Sequence, residues 1–177
     1  GAGMTLEEFA GAARVLLDEV APMTLATCVK EVPWASDVYF APSGYDLVFL
    51  SSLDSRHCRN LMVNPACAVT IHAPVATWYD IRGLQMEGVA GPAATIAEKA
   101  GALAVYFGKF PFARDLLDSP IGAVRTAFKA SAHVFRPTRV RYLDNRLGIG
   151  TRFSLDLDDG RPAGPPRQEK SGESAGR

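Results

Sequence analysis

The chain has 177 residues, of which 47% are hydrophobic and 21% charged, a balance typical of one globular domain with a hydrophobic core. Nineteen basic and nineteen acidic residues cancel, and no basic stripe is present, so no nucleic-acid partner is expected. Every apolar run is interrupted well before about 18 residues, so no membrane partner is expected. No secretory leader is recognised, and Gly1-Ala2-Gly3 before Met4 is interpreted as a tag remnant.

Cysteine and histidine usage argues against disulfides and metals. The chain has an odd number of cysteines, Cys28, Cys58 and Cys67, and no CxxC motif, so a disulfide framework is not expected. Free thiols favour a reducing, cytoplasmic location. Three histidines without an HxxxH pattern predict no metal site.

The first half of the chain predicts one helix followed by five strands. Capped by Thr5, the helix covers residues 5–20. The strands cover residues 23–29, 34–40, 46–51, 67–73 and 80–90. In the last strand Ile81, Leu84, Met86 and Val89 are expected to point inward, and Gly83 is expected to mark a bulge or a close backbone approach.

The second half predicts helices first and strands afterwards. Helices are expected over residues 95–107, 111–117 and 121–130, followed by strands over 132–144 and 152–157. Residues 4–158 are therefore expected to form one domain, mainly β with flanking helices (α+β), built on a small antiparallel barrel. Residues 159–177 are rich in Pro, Gly, Ser and charge, which predicts a disordered tail.

One junction points to a phosphorylated ligand. The apolar strand over residues 47–50 ends in Ser51 and Ser52, and Ser55-Arg56-His57 opens the next helix. A helix N-terminus presents unpaired N–H groups and the positive end of the helix dipole, and both attract an anion.

The order of elements around this junction resembles the FMN-binding split barrel of the pyridoxamine 5′-phosphate oxidase-like superfamily. Four segments carry the resemblance, namely residues 33–40 (PWASDVYF), 49–57 (FLSSLDSRH), Asn64-Pro65 with the strand after it, and 81–88 (IRGLQMEG). The resemblance covers roughly residues 22–145 and implies a split antiparallel β-barrel of the FMN-binding type.

The resemblance also implies a set of cofactor-binding residues. Ser55, Arg56 and His57 would hold the FMN phosphate, with His57 at a position where lysine is usual. The isoalloxazine ring of FMN would lie along two strand segments, formed by Trp34, Ala35, Ser36 and Asp37 and by Leu50, Ser51 and Ser52. Arg82 would be one further cation near the cofactor. The family usually carries a glutamine on that strand, and Arg82 would either substitute for it as a cation or form a salt bridge at the rim of the barrel. Trp78 and Tyr79 would form either an aromatic wall over the ring or part of the core or dimer packing.

The function implied is a homodimeric FMN-dependent oxidoreductase with flavin sites shared between subunits. It would move hydride or electrons between a reductant and an unidentified small molecule, and no residue is identified as catalytic. The alternative is a non-enzymatic split-barrel module that binds flavin, deazaflavin or haem. In the haem case His72 or His133 would be the axial ligand, although either also fits an ordinary strand histidine with a satisfied ring.

Overall fold

The computed structural model describes residues 3–117 and 130–169. Its helices are α1 (Leu6–Glu19), α2 (Arg56–Val63), α3 (Ile96–Lys109) and α4 (Pro111–Leu117). Its strands are β1 (Pro22–Val29), β2 (Val32–Ser43), β3 (Asp46–Ser52), β4 (Ala66–His72), β5 (Arg82–Pro92), β6 (Ala130–Asp144), β7 (Arg152–Asp158), β8 (Arg161–Pro162) and β9 (Arg167–Glu169). The helix predicted over 121–130 falls outside the described residues, apart from Ala130, which begins β6.

Six antiparallel strands close into a barrel. The order is β3-β2-β1-β4-β5-β6, and β6 pairs back onto β3 with Leu47 opposite Phe135. β7 continues the sheet beyond β6. The predicted architecture, a mainly β, α+β fold built as a split antiparallel β-barrel, is confirmed.

The core lies inside this barrel, and a second apolar cluster lies outside it. α1 opens with a capping box, in which Thr5 and Glu8 bond to each other's backbone N–H groups. Its buried face packs with the inward residues of the strands, including the fully buried Phe40 and Phe49. α3 and α4 pack on the outer side of β2, β3 and β6, around Ala41, Val48 and Val134. Among the described residues, no helix has both the length and the apolar character needed to cross a bilayer.

Two glycines of β5 allow neighbouring backbone to come close. A Cβ on Gly83 would lie 2.9 Å from the Ile71 carbonyl oxygen, so the predicted close approach is confirmed. The irregularity in pairing instead lies at Gly88, where β6 carries the extra residue Thr138 opposite β5. Leu84, Met86 and Ala90 are the buried side of β5 from Leu84 onward, so Val89 lies on the other side and is exposed, contrary to its predicted inward position.

The C-terminal segment is more ordered than the sequence predicts. Residues 159–169 were expected to belong to a disordered tail, but β8 and β9 both pair with β7. An ion pair between Arg141 Nε and Glu169 Oε1, 2.7 Å apart, ties β9 to β6. Short polar strands carry no alternation, so backbone pairing with a sheet edge leaves little trace in the sequence.

Candidate functional site

The junction between β3 and α2 is a tightly bonded turn. Ser55 caps α2: its Oγ accepts from the Cys58 N–H at 3.4 Å and donates to the Ser52 carbonyl oxygen at 2.7 Å. Because its one hydroxyl proton is given to Ser52, Ser55 offers a ligand no hydroxyl donor in this arrangement. The N–H groups of Arg56 and His57 have no partner inside the helix, since they belong to its first turn. The donors left at the junction therefore include these amides and the Arg56 side chain.

His57 turns back towards the end of β3. Its Nε2 lies 2.8 Å from Ser51 Oγ and 3.3 Å from Ser55 Oγ, so two hydroxyls surround one ring nitrogen. Burial lowers the pKa of His57, and the nearby His133 lowers it further. Burial also raises the pKa of the Cys58 thiol, although hydrogen bonds to Ser55 and Ser51 oppose the rise. The cluster at neutral pH is therefore an uncharged imidazole and a thiol, and a thiolate nucleophile is not favoured.

The guanidinium of Arg56 lies over the aromatic ring of Trp34 on β2. The guanidinium carbon is 4.1 Å from the centroid of the Trp34 ring, and both side chains are exposed. A guanidinium held over an aromatic face by a cation–π contact still has five N–H donors, which the ring does not consume. Within residues 3–117 and 130–169 no carboxylate forms an ion pair with Arg56. The arrangement holds a cation at a fixed place and keeps its donors available for an anion.

The predicted ring-binding segments do not all share one face. On β2, Trp34 and Ser36 lie on the same side as the buried Val38, whereas Ala35 and Asp37 lie on the outer side of the sheet. On β3, Ser51 is buried beside His57, whereas Leu50 packs on the α3 side. Ser52 serves the turn through its backbone carbonyl and its hydroxyl. A flat ligand placed along these strands would therefore meet Ala35 and Asp37 on one surface and Trp34 on the other.

Three further polar residues support the junction, and the sequence analysis gave none of them this role. Asn60 Nδ2 donates to Thr27 Oγ1 at 2.9 Å and so fixes α2 on β1. His133 is 1% exposed, stacks on Phe49 with ring centroids 5.2 Å apart, and its Nδ1 lies 2.8 Å from the Ser131 carbonyl oxygen. Thr27 could have been found from the alternation of β1, because it follows Met23 and Leu25 on the buried side of the strand. A polar residue at such an inward position indicates a buried hydrogen bond. Ser51 and His133 follow the same rule on β3 and β6.

Arg82 lies far from this junction within one copy of the chain. It pairs with Asp144 at the end of β6, whereas Ser52, just before the junction, pairs with Ala130 at the beginning of β6. The structure therefore does not bring Arg82 to Arg56 in a single chain.

A group of exposed apolar side chains, called the lip below, lies at the end of the barrel where Arg82 begins β5. The turn at Trp78–Asp80 is held to the turn at Asn145–Leu147 by Asn145, whose Nδ2 donates to the Trp78 carbonyl oxygen at 2.6 Å. The lip consists of the exposed side chains Trp78, Tyr79, Leu147 and Ile149. The two aromatic rings are therefore not core residues of the single chain.

The two histidines considered as haem ligands differ in position. His133 is enclosed in the barrel core between Phe49 and Ser131, which matches a satisfied strand histidine rather than an axial ligand. His72 is exposed on the outer side of β4, opposite Gly83. In the described part of the chain, no three His, Cys, Asp or Glu side chains are placed to hold a metal ion.

Comparison with known proteins places these features in a family. The family model of pyridoxamine 5′-phosphate oxidase matches residues 9–144. A comparison with curated proteins returned no match.

Solved structures share the fold. A haem-binding protein of Mycobacterium smegmatis is 28% identical with a TM-score of 0.66, over 83% of this chain and 57% of that one, so this chain spans little more than half of it. An FAD-binding protein of Mesorhizobium loti is 12% identical with a TM-score of 0.58, over 77% of this chain and 93% of that one. An FAD-binding protein of M. smegmatis is 15% identical with a TM-score of 0.55, and the match covers 73% of this chain and 90% of that one. The match to the family model covers well over half of the sequence, and the chain belongs to the pyridoxamine 5′-phosphate oxidase family.

Proposed function

We propose that the chain binds FMN at the junction of β3 and α2 and acts as a flavin-dependent oxidoreductase on a small molecule. The observation that carries the proposal is Arg56, whose guanidinium lies over the Trp34 ring at the first turn of α2 and forms no ion pair with a carboxylate of the described residues. A guanidinium held in this way can make two parallel hydrogen bonds to a phosphate. Two of the similar structures are FAD-binding proteins, which supports a flavin over other phosphorylated ligands.

The side chains at this junction would bind and orient the cofactor rather than transfer protons. Bound flavin would supply the hydride and electron chemistry. Arg56 and the amides of α2 fix the phosphate end, and Trp34 restricts where Arg56 can move. Ser51 and His57 hold the end of β3 rigid through their hydrogen bond, so the strand that would flank the ring keeps its position.

A second copy of the chain is part of the proposal. Arg82 and the lip of Trp78, Tyr79, Leu147 and Ile149 lie at the opposite end of β6 from Arg56. In a homodimer related by a twofold axis, the lip of one copy would meet the junction of the other and cover a cofactor held there. Arg82 would then act as a second cation contributed from the other subunit. The exposed aromatic rings support this arrangement, because a monomer rarely leaves such a group uncovered.

A binding module without catalysis is the second candidate. Its support is the similarity to a haem-binding protein at 28% identity, together with the exposed imidazole of His72, which is accessible for axial ligation. A deazaflavin would use the same junction as FMN.

Reconstitution with competing cofactors separates the candidates. Apo-protein is incubated with FMN, and in a separate sample with haemin, and the visible spectrum is recorded after gel filtration. We expect the protein fraction to show the flavin absorption bands after incubation with FMN and no Soret band after incubation with haemin. A retained Soret band that disappears in His72→Ala but not in His133→Ala would establish the haem-binding alternative instead.

A further inference from the structure

We propose that a cavity between α3 and the outer side of the barrel binds a small organic cation, a primary ammonium group carried on a short apolar body. The cavity has a volume of about 210 Å³ and is lined by α3, the beginning of β3 and the adjoining part of β6. Asp46 begins β3 and Ser52 ends it, so this cavity and the junction with α2 lie at opposite ends of one strand. The proposed site is therefore separate from the flavin site and does not depend on it.

The floor of the cavity is apolar. Val48 and Val134 are paired across β3 and β6, both are buried, and Ala102 and Val105 of α3 line the same space. A single water needs only about 10–15 Å³ of such space, but it also needs two to four polar partners, which these four side chains do not offer. An apolar group of a ligand would gain free energy by leaving water for this floor.

The α3 side of the cavity is kept open by a glycine. Glu98, Gly101, Ala102 and Val105 follow one another at the spacing of a single helix face, and all four line the cavity. A Cβ on Gly101 would meet no atom of the described residues within 4 Å. Glycine is an unfavourable residue in a helix interior, but its small size here keeps the space beside the helix accessible to a ligand. A long side chain at this position would instead occupy that space.

The polar rim of the cavity has one more negative charge than positive charge. Arg136 forms an ion pair with Glu98, whose other carboxylate oxygen accepts a hydrogen bond from the Ala94 N–H at 2.8 Å. Asp46 lies on β3 next to Arg136 and forms no ion pair with a cation of the described residues. Burial raises the pKa of Asp46, and the charge of Arg136 offsets part of this rise. The carboxylate of Asp46 is therefore the rim group without a counter-ion of its own.

This rim determines the charge of the ligand. A partly buried carboxylate is stabilised by a cation placed beside it, and an ammonium group brings one charge and three N–H donors. An anion would be repelled by Asp46, because the charge of Arg136 is already matched by Glu98. A neutral molecule would gain only the contacts with the floor. A primary amine on an apolar body the size of a phenyl ring uses both the rim and the floor.

The test uses three probes of one shape and different charge, namely phenethylamine, 2-phenylethanol and phenylacetate. Their Kd values are measured by isothermal titration calorimetry at pH 7 with the wild-type chain, Asp46→Asn and Gly101→Leu. Gly108→Leu is the matched control, because Gly108 lies on the same helix, its Cβ would also meet no atom within 4 Å, and it does not line the cavity. Thermal unfolding of each variant verifies that it is folded.

We expect phenethylamine to bind the wild-type chain roughly ten-fold more tightly than 2-phenylethanol, as a charge-assisted hydrogen bond does, and phenylacetate to bind most weakly. Asp46→Asn should remove the preference for the amine. Gly101→Leu should abolish binding, whereas Gly108→Leu should bind like the wild-type chain. FMN binding by Gly101→Leu should equal that of the wild-type chain, because the two sites lie at opposite ends of β3.

Equal affinity for phenethylamine and 2-phenylethanol, or a preference for the amine that persists in Asp46→Asn, would overturn the assignment of a cation. Absence of phenethylamine binding to the wild-type chain, or equal binding by Gly101→Leu and Gly108→Leu, would overturn the site itself. Neither result bears on FMN binding, so the proposed function stands or fails separately.

Discussion

At the residue scale, the junction works through contacts between side chains that are distant in sequence. Trp34 and Arg56 belong to different elements, yet the ring supports the guanidinium at 4.1 Å. Sequence reasoning identified Ser55, Arg56 and His57 as the start of a helix, because capping and dipole rules are local. It did not reveal that Arg56 stacks on Trp34 or that His57 turns to Ser51, since both contacts depend on how α2 lies on the barrel.

Replacement of Arg56 tests this site directly. Arg56→Ala is expected to weaken FMN binding by about ten- to a hundred-fold at pH 8, because one charge-assisted hydrogen bond is worth roughly 1.5–3 kcal/mol. Arg59→Ala is the matched control, since Arg59 is an exposed arginine of the same helix. Fluorescence titration with FMN measures both. Equal losses in the two variants would mean that only the general charge of α2 matters.

Asp144 holds the opposite end of the barrel. Its side chain is 4% exposed and accepts hydrogen bonds from Tyr142 Oη at 2.7 Å and from Arg146 Nη2 at 2.7 Å. The hydrogen bond from Arg146 lowers the pKa of Asp144, and the bond from Tyr142 assists it, against the effect of burial. A carboxylate with a lowered pKa stabilises the fold above its unfolded pKa, and this stability is lost as the pH falls towards the folded pKa.

We therefore expect Asp144→Asn to lower the free energy of unfolding by about 1–2 kcal/mol at pH 7, a modest amount because Arg146 is half exposed and screened. Below about pH 3.9, the unfolded pKa of aspartate, the gap to wild type should narrow as the wild-type carboxyl becomes protonated. Urea unfolding at pH 7 and pH 3 measures both values. A gap that is equally large at both pH values would show that the effect is steric.

At the element scale, β5 and β6 form the pairing that crosses the barrel from one end to the other. Periodicity predicted both strands, and it placed Leu84 and Met86 inward correctly. The bulge at Thr138 was not predictable, because an extra residue changes the inward parity of β6 without any change in residue type nearby. β8 and β9 were missed because two- and three-residue polar strands have no period to detect.

Alanine substitutions at two glycines of β5 test how closely the backbone of β6 approaches β5. A Cβ on Gly88 would collide with the Arg136 carbonyl oxygen, whereas a Cβ on Gly91 would meet no atom within 4 Å. Gly88→Ala is therefore expected to cost about 1–3 kcal/mol of stability and Gly91→Ala less than about 0.5. Thermal unfolding of the two variants measures the difference, and a stable Gly88→Ala protein would contradict the tight crossing at the bulge.

Two truncations test the C-terminal strands. Removal of residues 161–177 deletes β8, β9 and the pair of Arg141 with Glu169, so we expect a loss of about 2 kcal/mol, or roughly 4–8 °C in Tm for a domain of this size. Removal of residues 170–177 is the control that retains both strands. If the two truncated proteins have the same Tm, β8 and β9 contribute nothing to stability.

At the scale of the whole molecule, the proposed cofactor site requires a dimer, in which the lip of one copy meets the junction of β3 and α2 of the other. The sequence predicted the barrel from its order of elements, and the pairing of β3 with β6 closes it. For Trp78 and Tyr79 the sequence left a place over the ring and a place in core or dimer packing open, and both side chains are exposed in the single chain. Their exposure was not predictable, because it depends on how the turn at Trp78–Asp80 lies against the turn at Asn145–Leu147.

The shared flavin site is tested by measuring FMN stoichiometry and molecular mass on the same sample. Apo-protein at low micromolar concentration is titrated with FMN to its equivalence point, and the mass of the same sample is determined by light scattering. We expect one FMN per chain and twice the mass of one chain, with flavin released when Trp78→Asp disrupts the lip. A monomer that holds FMN stoichiometrically would contradict the shared site, and a chain that binds no FMN would contradict the proposed function.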